Sequence, residues 1–225
     1  MTGSNMETVW LPDRASAAPA HWYRRGVGQT KSASDCSAWT NQGSVDSDLV
    51  ASGDSANSPL LNSDGSITFN ANADIMTFST DSEADDLNLG EFEIWMRMST
   101  VSAISNEYVM ETNAANFFIQ LSSKDLIKIK IGNRHDYAPA ASMPEDGTPF
   151  NVMVARNSGG AITVTVNNTA TTLGSQSGNV AIETTFDIAT LGQSCNGITM
   201  REILIYDGPN RVTDRALVNT YLNSI

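Results

Sequence analysis

The sequence predicts an all-β protein, a β-sandwich or jelly roll of two antiparallel sheets closed by one short C-terminal helix. Three observations carry this. The chain has 225 residues, a length that one large β domain fills without splitting in two. From about residue 67 onward, short segments alternate apolar and polar residues, with turn-forming clusters between them. The stretch "GITMREILIYDGPNRVTDRALVNTYL", from Gly197 to Leu222, reads as a strand, a turn and a short helix.

The elements follow in chain order. Residues 1–35 mix aromatics, Pro and Gly without period, yet Trp10, Trp22 and Tyr23 are costly to leave in water. They read as an ordered leader packed on, or extending from, a domain of residues 36–225. Residues 39–61 are turn-rich with single apolar anchors. "SITFN" and "DIMTFS" then alternate. In "EFEIWMRMS", Phe92, Ile94, Met96 and Met98 share one face, and Glu91, Glu93, Trp95 and Arg97 the other. "EYVMET", "NFFIQLS" and "LIKIKIG" continue the series, the last with Ile127, Ile129 and Ile131 opposed to Lys128 and Lys130. "PFNVMVARN" and "AITVTVNN" flank "SGG", a hairpin signal. "TATTL" and "TFDIATLG" follow. In "ITMREILIY", strict alternation puts Ile198, Met200, Glu202, Leu204 and Tyr206 on one face. Thr199, Arg201, Ile203 and Ile205 take the other. Thr213 suits an N-cap, Asp214 suits the first turn, and Leu217, Val218, Tyr221 and Leu222 make one apolar stripe. So short a helix must dock on the sandwich.

Composition excludes some functions. The formal net charge is −12, the opposite of the basic footprint that nonspecific nucleic-acid binding needs and unsuited to anionic membranes. Against this background Arg24, Arg25 and Lys31 stand out as a local basic patch for an acidic partner or for solvent. Cys36 and Cys195 fit neither a zinc nor a redox spacing. Two free buried thiols are expected, with a disulfide between the two ends left open. Two histidines, His21 and His135, are too few for a His-rich metal centre. A calcium site of Asp and carbonyl oxygens stays open, and the acidic run Asp81–Asp86 reads as solvated. No other cofactor is expected. The first residues lack the basic and apolar regions of a signal peptide. Met6 stands as an alternative start, with residues 1–5 as added sequence.

Catalytic patterns are sparse. Glu91 and Glu93 share a face, and alternation on one strand can place two carboxylates at the roughly 5 Å that retaining glycoside hydrolysis uses; the next residue on that face is Trp95. "RHDY", Arg134–Tyr137, reads as a polar loop. There is no G-x-S-x-G nucleophile turn. Sugar recognition needs an aromatic face with amides and charged groups for hydroxyls. Trp95, Arg97, His135 and Tyr137 are the candidates, with Asn113 and Asn116 nearby in a loop.

The closing segment resembles that of concanavalin A-like lectin/glucanase domains of the laminin-G-like jelly-roll type. The residues that carry the likeness are Glu202, Ile203, Ile205, Tyr206 and Asp207, then Thr213, Asp214, Tyr221 and Leu222. "VWLPD" resembles the family's first strand, and "PFNVMVARNSGGAITVTVNN" its central hairpin. The likeness spans residues 8–225 and implies carbohydrate binding, glycan hydrolysis or protein adhesion. A single acidic domain with neither signal peptide nor membrane anchor looks like a non-enzymatic structural protein of a bacteriophage virion. That would be a capsid-decoration or tail-fibre component, made in the host cytoplasm, bound to other virion proteins and presenting glycan-binding loops. A homo-oligomer is compatible with this. A soluble lectin-like carbohydrate-binding module is the alternative, and a divergent glycosidase the third reading.

Overall fold

The computed structural model describes residues 10–16, 18–51, 57–79, 87–112, 117–132, 134–139, 143–171, 185–208 and 214–225. In chain order the strands begin with β1 (His21–Tyr23), β2 (Gln29–Ser32), β3 (Asp35–Trp39), β4 (Asp48–Ala51) and β5 (Leu60–Leu61). Next are β6 (Ile67–Phe69), β7 (Met76–Ser79), β8 (Leu87–Leu89), β9 (Phe92–Thr100) and β10 (Glu107–Glu111). Then come β11 (Phe117–Ser123), β12 (Leu126–Ile131), β13 (Arg134–Pro139), β14 (Phe150–Arg156) and β15 (Ile162–Val166). The last are β16 (Thr169–Ala170), β17 (Phe186–Ile188), β18 (Thr190–Leu191) and β19 (Ile198–Asp207), followed by helix α1 (Arg215–Asn223).

The fold is an all-β antiparallel sandwich. Its front layer runs β16-β15-β14-β9-β19, and β19 is flanked by β1 at one end and β6 at the other. Its back layer runs β13-β12-β11-β10-β18-β7-β4-β3-β2. Pairing of β5 with both β3 and β6 joins the layers along one side. β8 and β17 form a separate ribbon, and Leu89, Phe186 and Ile188 from it enter the core.

Alternation dictates what lies between the layers. Phe92, Ile94, Met96 and Met98 of β9 meet Ile119, Leu121, Ile127, Ile129 and Ile131 from the back layer. A second apolar cluster sits outside the front layer. There Trp95, Met153, Ala155, Leu204 and Tyr206 are roofed by Val218, Tyr221 and Leu222 of α1 and by Trp22. Trp10, Leu11 and Ala15 pack against it. The front layer is therefore apolar on both faces.

Several expectations change. β19 does not alternate strictly: its register against β9 shifts between Met200 and Glu202. This bulge at Arg201 turns Ile203 and Ile205 into the core with Ile198 and Met200, and sends Glu202, Leu204 and Tyr206 outward. "RHDY" is no loop, because Arg134–Pro139 pairs along the whole of β12. Leu217 leaves the apolar stripe and is 43% exposed. The stretch expected as a first strand instead holds a 3-10 turn at Pro12–Arg14. Inside the leader, β1 and β2 pair with β19 and β3. Thr213, Asn113, Asn116 and the acidic run Asp81–Asp86 lie outside the described residues.

Candidate functional site

The four residues proposed for sugar binding do not converge. Trp95 is fully buried beneath α1, and its Nε1–H donates to Glu93 Oε1 at 2.8 Å. It has no face left on which a pyranose could stack. Arg97 is 8% exposed. Its guanidinium donates to Asn151 Oδ1 (2.9 Å), Asn223 Oδ1 (3.1 Å) and the carbonyl of Ile225 (3.2 Å). Asn151 in turn donates to Asn219 and Asn223 of the helix. Trp95 and Arg97 thus anchor α1, because the outward face of β9 is the helix-docking face. His135 and Tyr137 belong to β13 in the other layer, opposite Lys130 and Lys128 in register.

The carboxylate pair of "EFEIW" is not an open dyad. Glu93 is buried and bonded to Arg215 Nε at 3.0 Å as well as to Trp95. Glu91 precedes β9, and its carbonyl accepts from Gly208 N. Glu202 is buried too. It accepts from Trp22 Nε1 at 2.6 Å and from the Tyr221 hydroxyl at 2.5 Å. Burial raises its pKa against the pull of these donors.

The outward face of the back layer is different. Register sets two neighbouring rows across the strands. One runs Val50, Thr77, Thr190, Glu111, Phe118, Lys130, His135. The other runs Tyr108, Gln120, Lys128, Tyr137. Tyr108 and Phe118 meet edge to face, with centroids 5.1 Å apart, and Tyr108, Lys128 and Lys130 are half-buried. The Thr190 hydroxyl donates to the Glu111 carbonyl at 3.1 Å. Burial pushes the Glu111 carboxyl up to about 7, so near neutrality it is both a donor and an acceptor. Phe118, Glu111 and Gln120 are 8%, 6% and 3% exposed, so Tyr108 and the two ammonium groups are the accessible part of this face, with a carboxyl and a primary amide just beneath them, a set of groups suited to a polyhydroxylated ligand. Glu107 is on the same strand, but its partner Leu121 belongs to the core, and its carboxylate accepts from Asn196 N at 2.7 Å. It supplies no second carboxylate to this face.

A pocket of about 250 Å³ opens at one end of the sandwich beside Gly90, Glu91, Arg156, Asn157 and Ser158. It is smaller than the roughly 300–1,000 Å³ of most small-molecule sites. Among the described residues no cluster of three or more His, Cys, Asp or Glu side chains could hold a metal ion. Cys36 and Cys195 are free and buried. No described helix is long and apolar enough to cross a membrane. Sequence reasoning missed Glu111, Tyr108, Phe118 and Gln120. Their signal was present in the alternation of "EYVMET" and "NFFIQLS", but a bulge between Tyr108 and Met110 breaks the face assignment.

No protein-family model matches the chain, and no curated protein is similar to it in sequence. Solved structures do resemble it. The receptor-binding domain of botulinum neurotoxin D superposes with a TM-score of 0.58 at 8% identity, over 90% of this chain and 52% of that one. The serotype D ligand-binding domain in complex with N-acetylneuraminic acid gives 0.53 at 7% identity, over 92% and 50%. Botulinum neurotoxin type C, whose cell entry is dependent upon interaction with two ganglioside molecules, gives 0.52 at 15% identity, over 83% and 48%. The chain spans about half the length of these domains. At such identities the likeness is one of fold: a β-rich architecture shared with receptor-binding domains.

Proposed function

We propose that this chain is a non-enzymatic carbohydrate-binding module of the concanavalin A-like, laminin-G-like kind, with cell-surface glycans as partners. The observation that carries the reading is the outward face of the back layer, where Tyr108, Phe118, Gln120, Glu111, Lys128 and Lys130 occupy adjacent register rows. Fold neighbours that bind sialic acid or gangliosides support it, as does the burial of Glu93, which removes the one carboxylate pair the sequence offered for hydrolysis. A virion role, with capsid or tail proteins as partners, rests on elimination and on the sequence resemblance, and has no such support.

A glycan array followed by calorimetry tests the proposal. Saturable binding of one glycan class is expected, weakened about tenfold or more in Tyr108→Ala and Gln120→Ala, as the loss of a stacking face or a paired hydrogen bond predicts. Absence of specific binding across the array would sink it, as would two folded variants that bind like the wild type.

A further inference from the structure

The basic residues singled out in the leader acquire company in the folded chain. The turn after β1 holds Arg24 and Arg25. It is fixed by Trp39 Nε1–H and Val27 N–H donating to the Arg24 carbonyl. Gly26, at φ +71°, makes the left-handed step, and its N–H reaches the Gly65 carbonyl. That contact brings the second turn, residues 62–66, alongside. Beneath both lies the bulge of β19, where Arg201 has no register partner and sits beside Glu202, which is itself opposite Arg97. Bulges re-aim side chains next to functional sites.

We propose that this junction of two turns and a bulge is an oxyanion-binding site for a phosphate or sulfate group, lined by Arg24, Arg25 and Arg201 with Arg97 behind them. The side-chain charges show why. Four guanidinium groups gather around two carboxylates, Asp64 and Glu202. A single oxygen, Asp64 Oδ2, serves Arg201 at 3.0 Å and Arg25 at 3.9 Å. The other, Oδ1, accepts from the hydroxyl and N–H of Ser66. Glu202 spends its oxygens on Trp22, Tyr221 and the backbone N–H of Arg25. A surplus of two positive side-chain charges remains, in a chain whose net charge is −12.

The donors are equally unspent. Among the described residues the three lining side chains make one hydrogen bond between them, from Arg201 to Asp64. Arg24 instead lies over the Trp22 ring, 5.4 Å from its centroid. The neighbouring guanidiniums also depress the Arg97 pKa, second to its burial. Arg25 and Arg201 keep 27% and 19% of their side-chain surface in solvent, so an anion can reach both. A tetrahedral oxyanion matches planar guanidinium forks better than a hydrated halide does. The site lies on the front layer, away from the glycan face on the back layer, and stands or falls independently of it.

Calorimetric titration at constant ionic strength, with chloride as the balancing anion, tests this. The probes are inorganic phosphate, inorganic sulfate and glucose 6-phosphate. One saturable site is expected, weakened about tenfold in Arg25→Gln and in Arg201→Gln by loss of a charge-assisted bond, and unchanged in Lys124→Gln on the other layer. Tighter binding of the ester than of free phosphate assigns a ligand-borne group; equal binding assigns the free ion. Arg25→Gln removes no side-chain hydrogen bond, so it remains informative even if Arg201→Gln fails to fold. Non-saturable heats would overturn the proposal. So would binding of sulfate and phosphate that is as tight in Arg25→Gln and Arg201→Gln as in the wild type, which would place the anion elsewhere.

Discussion

Single buried groups show most directly how chemistry follows environment. Cys36 and Cys195 donate to the carbonyls of Ala38 and Tyr108 at 3.3 and 3.2 Å. Burial pushes the Cys36 thiol up to about 11 and raises Cys195 far above the usual thiol range. Glu107 and Glu111 add their repulsion to a Cys195 thiolate. The thiolate is the reactive species, so both side chains behave as small apolar residues. A disulfide-exchange reagent at pH 8 is expected to label neither thiol in the native protein and both in denaturant. Rapid labelling of one thiol under native conditions would show that its packing opens. Glu202 teaches the same lesson in another form. A buried carboxylate between Trp22 and Tyr221 looks catalytic by residue type alone, but the Trp22 indole N–H and the Tyr221 hydroxyl both donate to its Oε1, and they tie the leader to the helix.

At the scale of elements, α1 owes its place to two separate devices. Val218, Tyr221 and Leu222 cover the apolar outer cluster, while Asn219 and Asn223, one turn apart, reach Asn151 and Arg97. Leu222→Ala empties a fully buried position and is expected to cost about 2–4 kcal/mol in denaturant unfolding. Leu217→Ala, at an exposed position, is expected to change stability by about 0.5 kcal/mol or less. Equal losses would mean that the helix docks through a different face. The strands between the two layers were legible because alternation in "EFEIWMRMS" and "LIKIKI" is unbroken. Legibility stopped at bulges. One extra residue at Arg201 reverses every later assignment in β19, and nothing in "ITMREILIY" marks it, since both faces are partly apolar. Arg134–Pro139 was misread because polar residues weaken a strand signal that pairing with β12 overrides. Trp95 and Arg97 were misassigned for a related reason: an outward-facing aromatic and cation suit either a ligand or a docked helix, and only the tertiary fold tells them apart.

At the scale of the whole molecule, two buried titrating groups in opposite parts of the sandwich set opposing dependences of stability on pH. Glu111 has its folded pKa raised from 4.5 to about 7 by burial. Below pH 4.5 it is protonated whether folded or not and costs nothing. As pH climbs toward 7 the unfolded chain ionises first, and stability is lost. His21 has its folded pKa lowered from 6.5 to about 4, again by burial. Its contribution is complete above pH 6.5 and is lost as pH falls toward 4. Glu107, Glu202 and Asp207, also raised by burial, reinforce the first trend, and Asp64, lowered by Ser66 and Arg201 against its own burial, acts in the direction of the second. The wild-type profile is therefore a composite, and the difference curves isolate its parts. Glu111→Gln is expected to gain stability relative to wild type as pH rises from 4.5 to 7, by about 1–2 kcal/mol after allowing for solvent screening at a site that keeps some water contact. His21→Gln is expected to gain relative to wild type as pH falls from 6.5 to 4. Urea unfolding of the three proteins at half-unit intervals from pH 4 to 8 measures both. A difference curve for Glu111→Gln that stays level across this window would mean that Glu111 is solvated well enough to titrate as an ordinary carboxylate. The outward face of the back layer would then present a fixed negative charge at neutral pH, instead of a carboxyl that can also donate to a sugar hydroxyl.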